Sequence, residues 1–91
     1  MSRKQLGIAV IGCGMIGKFH LRALQEISEF NISGVWAANP ALAKEVARSY
    51  GTKAYEAYSD VLADPQVQVV DICLPSGLHA EYGCPAAAAG K

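Results

Sequence analysis

At 91 residues the chain is one domain at most, near the lower limit for building a core unaided. Hydrophobic residues make up 52% and charged residues 18%, which excludes a disordered chain, and eight basic residues cancel eight acidic ones. With no basic stripe and no block of like charge, a nucleic-acid surface and a charged tail are excluded as well. A bound anion would have to be held by backbone amides.

Arg3 and Lys4 precede an apolar run over residues 6–16, a pattern with some likeness to a signal peptide. The run carries Gly7, Gly12 and Gly14, leads into Lys18 and His20, and lacks a small-residue cleavage site. It is also too short to span a bilayer, so no membrane association and a cytoplasmic location are expected. Cys13, Cys73 and Cys84 are odd in number and lack paired spacing, so they read as reduced thiols rather than a disulfide or zinc framework.

Residues 6–11 (LGIAVI) form a nearly continuous apolar run ending at a glycine, as a strand buried on both faces would. From Ile16 the period becomes helical, with Ile16, His20, Ala23, Leu24 and Ile27 on one stripe. His20 on that stripe reads first as a satisfied core residue. Residues 31–37 (NISGVWA) read as a second strand. Asn39-Pro40 then signals a helix start, with Leu42, Ala43, Val46, Ala47 and Tyr50 as its apolar face and Gly51 as its end.

Residues 52–55 suggest a short third strand, and Ser59 a cap for a brief helix ending near Asp64-Pro65. Residues 67–74 (VQVVDICL) form a fourth strand closed by Pro75. Ser76 is the expected cap of a last, alanine-rich helix, which Pro85 should kink or interrupt. Strands alternating with helices imply an α/β fold, a parallel Rossmann-type sheet with right-handed crossovers and helices on both faces. The expected strand order is 3-2-1-4. The fourth strand would leave an open edge, through which self-association is expected.

The decisive segment is Gly12-Cys13-Gly14-Met15-Ile16-Gly17, a G-x-G-x-x-G pattern that is weak alone. Here a buried strand precedes it, a helix opens within it and a second strand follows. Gly12 permits the turn, Gly14 lets backbone approach a diphosphate, and Gly17 lets the helix pack on the strand. Amides at the helix start would attract the anion without a basic side chain. The cofactor expected is NAD or NADP. Where the pattern wants an acidic residue after the second strand, this chain has Ala37, Ala38 and Asn39, leaving the choice between the two open. Asn39 is either a ribose ligand or, more simply, the helix cap.

With that loop, Asn39-Pro40 and the run Ile72-Cys73-Leu74-Pro75-Ser76-Gly77-Leu78-His79, the chain resembles the N-terminal domain of the Gfo/Idh/MocA oxidoreductases, named for glucose–fructose oxidoreductase and inositol dehydrogenase. The resemblance covers nearly all of residues 1–91. It implies that Gly12, Cys13, Gly14, Met15, Ile16 and Gly17 line the pyrophosphate, and that Ala38 and Asn39 lie by the adenosine ribose. Leu74, Pro75, Ser76 and His79 would lie beside the nicotinamide half.

It further implies hydride transfer to or from a carbinol of a sugar, cyclitol or similar polyol. Members of the family continue into a fifth strand with a Glu-Lys-Pro lysine and a second domain bearing an Asp and His pair. None of these is among the 91 residues, and Lys91 matches the lysine opening that strand rather than the active-site lysine. No catalytic residue and no metal ligand is therefore assigned. A non-catalytic dinucleotide-binding module and an inactive fragment remain the alternatives.

Overall fold

A computed structural model of the chain describes residues 5–91. In chain order it contains β1 (Leu6–Ile11), α1 (Met15–Leu24), β2 (Phe30–Trp36), α2 (Pro40–Ser49), α3 (Tyr58–Ala63), β3 (Val69–Ile72), a 3-10 turn (Ser76–Leu78) and α4 (His79–Ala88). The strands make one parallel sheet in the order β2-β1-β3, with Ile11 opposite both Trp36 and Ile72.

β1 takes the centre because both its faces are apolar. Ile8 and Val10 pack with Leu21 and Leu24 of α1 and with Ala43, Val46 and Ala47 of α2. Ala9 and Ile11 face the other way, against Val61 of α3 and Tyr82 of α4. The result is an α/β/α sandwich, the arrangement that a strand without polar alternation requires. Asn39 caps α2 as expected, its Oδ1 accepting the Ala41 and Leu42 amides at 3.1 and 3.4 Å.

The sheet corrects the expected four-strand order, having three strands among the described residues. Residues 52–55 make one bridge, Ala54 to Val35, held by the Val35 amide on Lys53 O and the Tyr55 amide on Val35 O. The Thr52 amide is drawn instead to Ala47 O at the end of α2, which stops a ladder from extending. The strand expected over residues 67–74 is the shorter β3.

α1 is rotated by about one position from the expected stripe. Gly17, Leu21 and Leu24 face the sheet, whereas Ile16 is 57% exposed. The helix ends at Leu24, so Ile27 falls outside it. Gly17 sets this rotation: a side chain there would run into the Gly12 carbonyl, so only this face can meet β1 closely.

Neither expected serine cap forms. α3 starts after Ala57, whose amide is bound by Asp60 Oδ2 at 3.2 Å, and Ser59 lies inside the helix. Ser76 opens the 3-10 turn, and no side chain caps α4. α4 also runs through Pro85 uninterrupted. Pro85 and Glu81 are both exposed, so the carbonyl that loses its donor lies on the solvent side of the helix, where the loss costs least. Among the described residues no helix is long and apolar enough to cross a membrane.

Candidate functional site

β1 and β3 deliver their carboxyl ends beside the N-terminus of α1, and a cleft of 440 Å³ opens there. Gly14, Met15 and Ile16 line one side, Ile72, Cys73, Leu74 and Pro75 the other, and His79 closes the end.

The glycine loop is shaped by two residues and kept open by a third. Gly12 has φ +103°, a left-handed conformation, and a Cβ there would sit 2.6 Å from the Cys73 carbonyl oxygen. Gly17 lies against Gly12 with no room for a side chain. Gly14 differs: its φ of −77° suits any residue, and a Cβ would meet nothing within 4 Å. The loop is therefore tight behind and empty in front.

No side chain caps α1, and its first turn holds no acidic residue. Its leading amides thus lack intrahelical acceptors and face the cleft side with the positive end of a ten-residue helix. Met15 and Ile16 are 83% and 57% exposed, giving the cleft an apolar rim beside those donors.

The opposite wall is braced by its own hydrogen bonds. The Cys73 amide donates to Ile11 O at 2.7 Å, and the Leu78 amide to Pro75 O at 2.8 Å. His79 Nε2 lies 2.8 Å from Leu74 O, which fixes the ring proton on that nitrogen as donor. Burial first, and the neighbouring Asp71 carboxylate second, push the Cys73 thiol up to about 12, so this wall carries a neutral thiol. Burial also raises the Cys13 thiol.

Of the residues expected from sequence, the cleft gathers Gly14, Met15, Ile16, Leu74, Pro75 and His79. Gly12 and Gly17 are buried behind it. The Cys13 side chain turns into the core, 2% exposed, with Sγ 3.9 Å from Trp36 O. Ala38, Asn39 and Ser76 are exposed outside the lining, and Asn39 is occupied as a cap. Ile72 and Cys73 were missed; their signal was the position immediately before Leu74-Pro75, at the carboxyl end of the strand where ligands bind in such sheets.

A buried parallel strand, a glycine turn and an uncapped helix start facing an open cleft define a Rossmann-type nucleotide-binding domain. The space before Gly14 is a cradle that a Cβ would fill, and with the free amides it fits a dinucleotide diphosphate. Residues 6–91 match the Gfo/Idh/MocA family, described as an oxidoreductase family with an NAD-binding Rossmann fold, and the chain belongs to it.

Levoglucosan dehydrogenase of Pseudarthrobacter phenanthrenivorans is 37% identical over 97 residues, covering 97% of this chain and 25% of its own length. Inositol 2-dehydrogenase of Gluconacetobacter diazotrophicus is 37% identical over 89 residues, covering 94% and 26%. A solved structure of levoglucosan dehydrogenase with NADH and L-sorbose superposes with a TM-score of 0.87 at 34% identity, covering 98% of this chain and 26% of that one. The chain thus spans about a quarter of the length of the curated relatives it matches.

Proposed function

We propose that these 91 residues are the dinucleotide-binding domain of an oxidoreductase that moves hydride between nicotinamide and a carbinol of a sugar, cyclitol or similar polyol. One observation carries the reading: the combination of empty space before Gly14 with the uncapped amides of α1. Those amides hold the diphosphate, and Met15 and Ile16 shelter it from water. Leu74 and Pro75 supply the apolar wall for the nicotinamide half, and His79 braces that wall through Leu74 O. When bound, the nicotinamide supplies the hydride chemistry, while the protein orients it.

Proton transfer needs a group within hydrogen-bond reach of the substrate hydroxyl. Among the cleft's lining residues His79 is the one imidazole, and its Nε2 is engaged by Leu74 O. This favours binding without turnover by these residues alone, with the proton handled by the lysine and the Asp and His pair that the family resemblance implies. Ala38, exposed just after β2, offers no carboxylate to repel a 2′-phosphate, so NAD and NADP are discriminated weakly.

The single tryptophan gives a direct test. Trp36 O accepts the Gly12 amide at 2.7 Å, so its indole lies within energy-transfer range of a nicotinamide bound in the cleft. NADH should quench Trp36 emission saturably, and Gly14→Val should abolish the effect. Saturable quenching that survives Gly14→Val places the ligand elsewhere and ends this reading.

A further inference from the structure

We propose that His20 is a positioning residue for the cleft, tying α1 to the end of β3 through Asp71 and Cys73 and so fixing the distance between the cleft's two sides. The proposal rests on the reading of the cleft as the dinucleotide site.

His20 follows Ile16 by one helical turn and therefore lies on the same side of α1, directly behind the rim. Its Nδ1 lies 2.7 Å from Asp71 Oδ2 and 3.2 Å from Cys73 Sγ. Asp71 sits in β3 opposite Val10, and Cys73 lines the cleft. Nδ1–H donates to the Asp71 carboxylate, to which the Cys73 thiol is also hydrogen-bonded. α1 packs on β1 and β2, so its link to the β3 side has to come from a side chain that reaches across. Among the described residues, the side-chain hydrogen bonds from α1 to the β3 side all end on His20.

Two other uses of this cluster fit less well. A nucleophilic triad needs the two imidazole nitrogens to face different partners. Here thiol and carboxylate meet the same nitrogen, so the ring cannot pass a proton between them. The three donor atoms do lie within 4.8 Å of one another, as metal ligands would. Yet Nδ1 and Oδ2 stand at hydrogen-bond separation, closer than the roughly 3.3 Å between tetrahedral ligands held at zinc bond lengths. The cluster is built around a shared proton.

The test measures NADH and ADP affinity of the full chain by Trp36 quenching and calorimetry, with thermal melts alongside. His20→Ala and Asp71→Ala should each weaken NADH roughly five- to tenfold, and the double variant should be no weaker than the poorer single one. ADP, which lacks the nicotinamide half and leans on the glycine side alone, should change less than about twofold. His20→Asn should restore NADH affinity, because its amide reaches the position of Nδ1. His20→Gln, whose amide reaches the position of Nε2, should not.

The Asn and Gln variants keep the comparison decisive if His20→Ala fails to fold. Equal losses for NADH and ADP, additive single variants, or Gln rescuing as well as Asn would overturn the proposal while leaving the cleft reading intact. Cobalt(II) binding with a thiolate charge-transfer band that His20→Ala removes would overturn it in favour of a metal site. A wild-type chain that binds no NADH would remove the cleft reading itself, and the proposal with it.

Discussion

A Gly17→Ala substitution puts a Cβ against the Gly12 carbonyl, 2.9 Å from its carbon and closer still to its oxygen, where ordinary contact begins at 3.4 Å. The obstacle is backbone, so no side chain can swing aside; α1 must retreat by about 1 Å or more, or the loop must rotate. Overpacking of this kind costs about 1–3 kcal/mol, and the absence of a flexible partner places this case near the upper end. In a domain of this size each kcal/mol lowers the melting temperature by about 4–8 °C, so a drop of roughly 12–24 °C is expected.

Gly14→Ala is the matched control, with open space around the new methyl and a backbone any residue adopts. The weaker helix cap and the reduced freedom of the unfolded chain roughly cancel, leaving stability within about 0.5 kcal/mol of wild type. That methyl nonetheless stands where the diphosphate must approach, so NADH affinity should fall at least about tenfold, or about 1.4 kcal/mol. Thermal melts by circular dichroism and NADH titrations of the three proteins read both effects. A Gly17→Ala melt within about 3 °C of wild type would refute the packing argument. Unchanged NADH affinity in Gly14→Ala would refute the binding argument.

Ala38→Asp should shift preference toward NAD over NADP by repelling the 2′-phosphate, from an initial discrimination of less than about tenfold, checked by paired titrations. The same change at Ala37 would bury a carboxylate in the core and is expected to unfold the chain instead. The Tyr55 hydroxyl, 2.6 Å from Asp64, is the main cause that holds this carboxyl below its usual range. Its stabilisation is therefore full above the ordinary carboxylate pKa near ~4 and lost as pH falls below it. Tyr55→Phe should accordingly cost about 1 kcal/mol at pH 7 and progressively less on acidification below pH ~4, seen as converging urea midpoints. β3 pairs with β1 alone among the described strands, so self-association through its open edge should appear as concentration-dependent sedimentation. A single monomeric species from micromolar to millimolar concentration would contradict it.

What the sequence made legible was whatever depends on local chemistry. The unbroken apolar run of β1 declared two-sided burial, Asn39-Pro40 declared a capped helix, and Gly12 and Gly17 of the loop declared a close approach of backbone to backbone. The rotation of α1 was not legible from hydropathy. A glycine adds nothing to an apolar stripe, yet Gly17 decides which face meets the sheet. Ile16, 57% exposed, consequently looks like a core residue in the sequence and is not.

Residues 52–55 read as a strand because their side chains permit one, but the competing claim of Ala47 O on the Thr52 amide is a tertiary fact. Ser59 and Ser76 have the chemistry of caps, while the helix starts were set by Asp60 and by a 3-10 turn. At the site, the glycine pattern and the family resemblance together supplied six of the eight lining residues. Ile72 and Cys73 needed the end of β3 to be placed against β1, as did the meeting of His20 with Asp71 across 51 positions.

The claim that the start of α1 and the end of β3 together hold a dinucleotide is tested most directly by amide chemical shifts during an NADH titration. Saturable shifts are expected at Gly12, Cys13, Gly14, Met15, Ile16 and Gly17 and across residues 73–79, all following one binding curve. Shifts gathered instead in the polar groove between α1 and α2, around Lys18, Arg22 and Glu45, with the glycine loop silent, would contradict it.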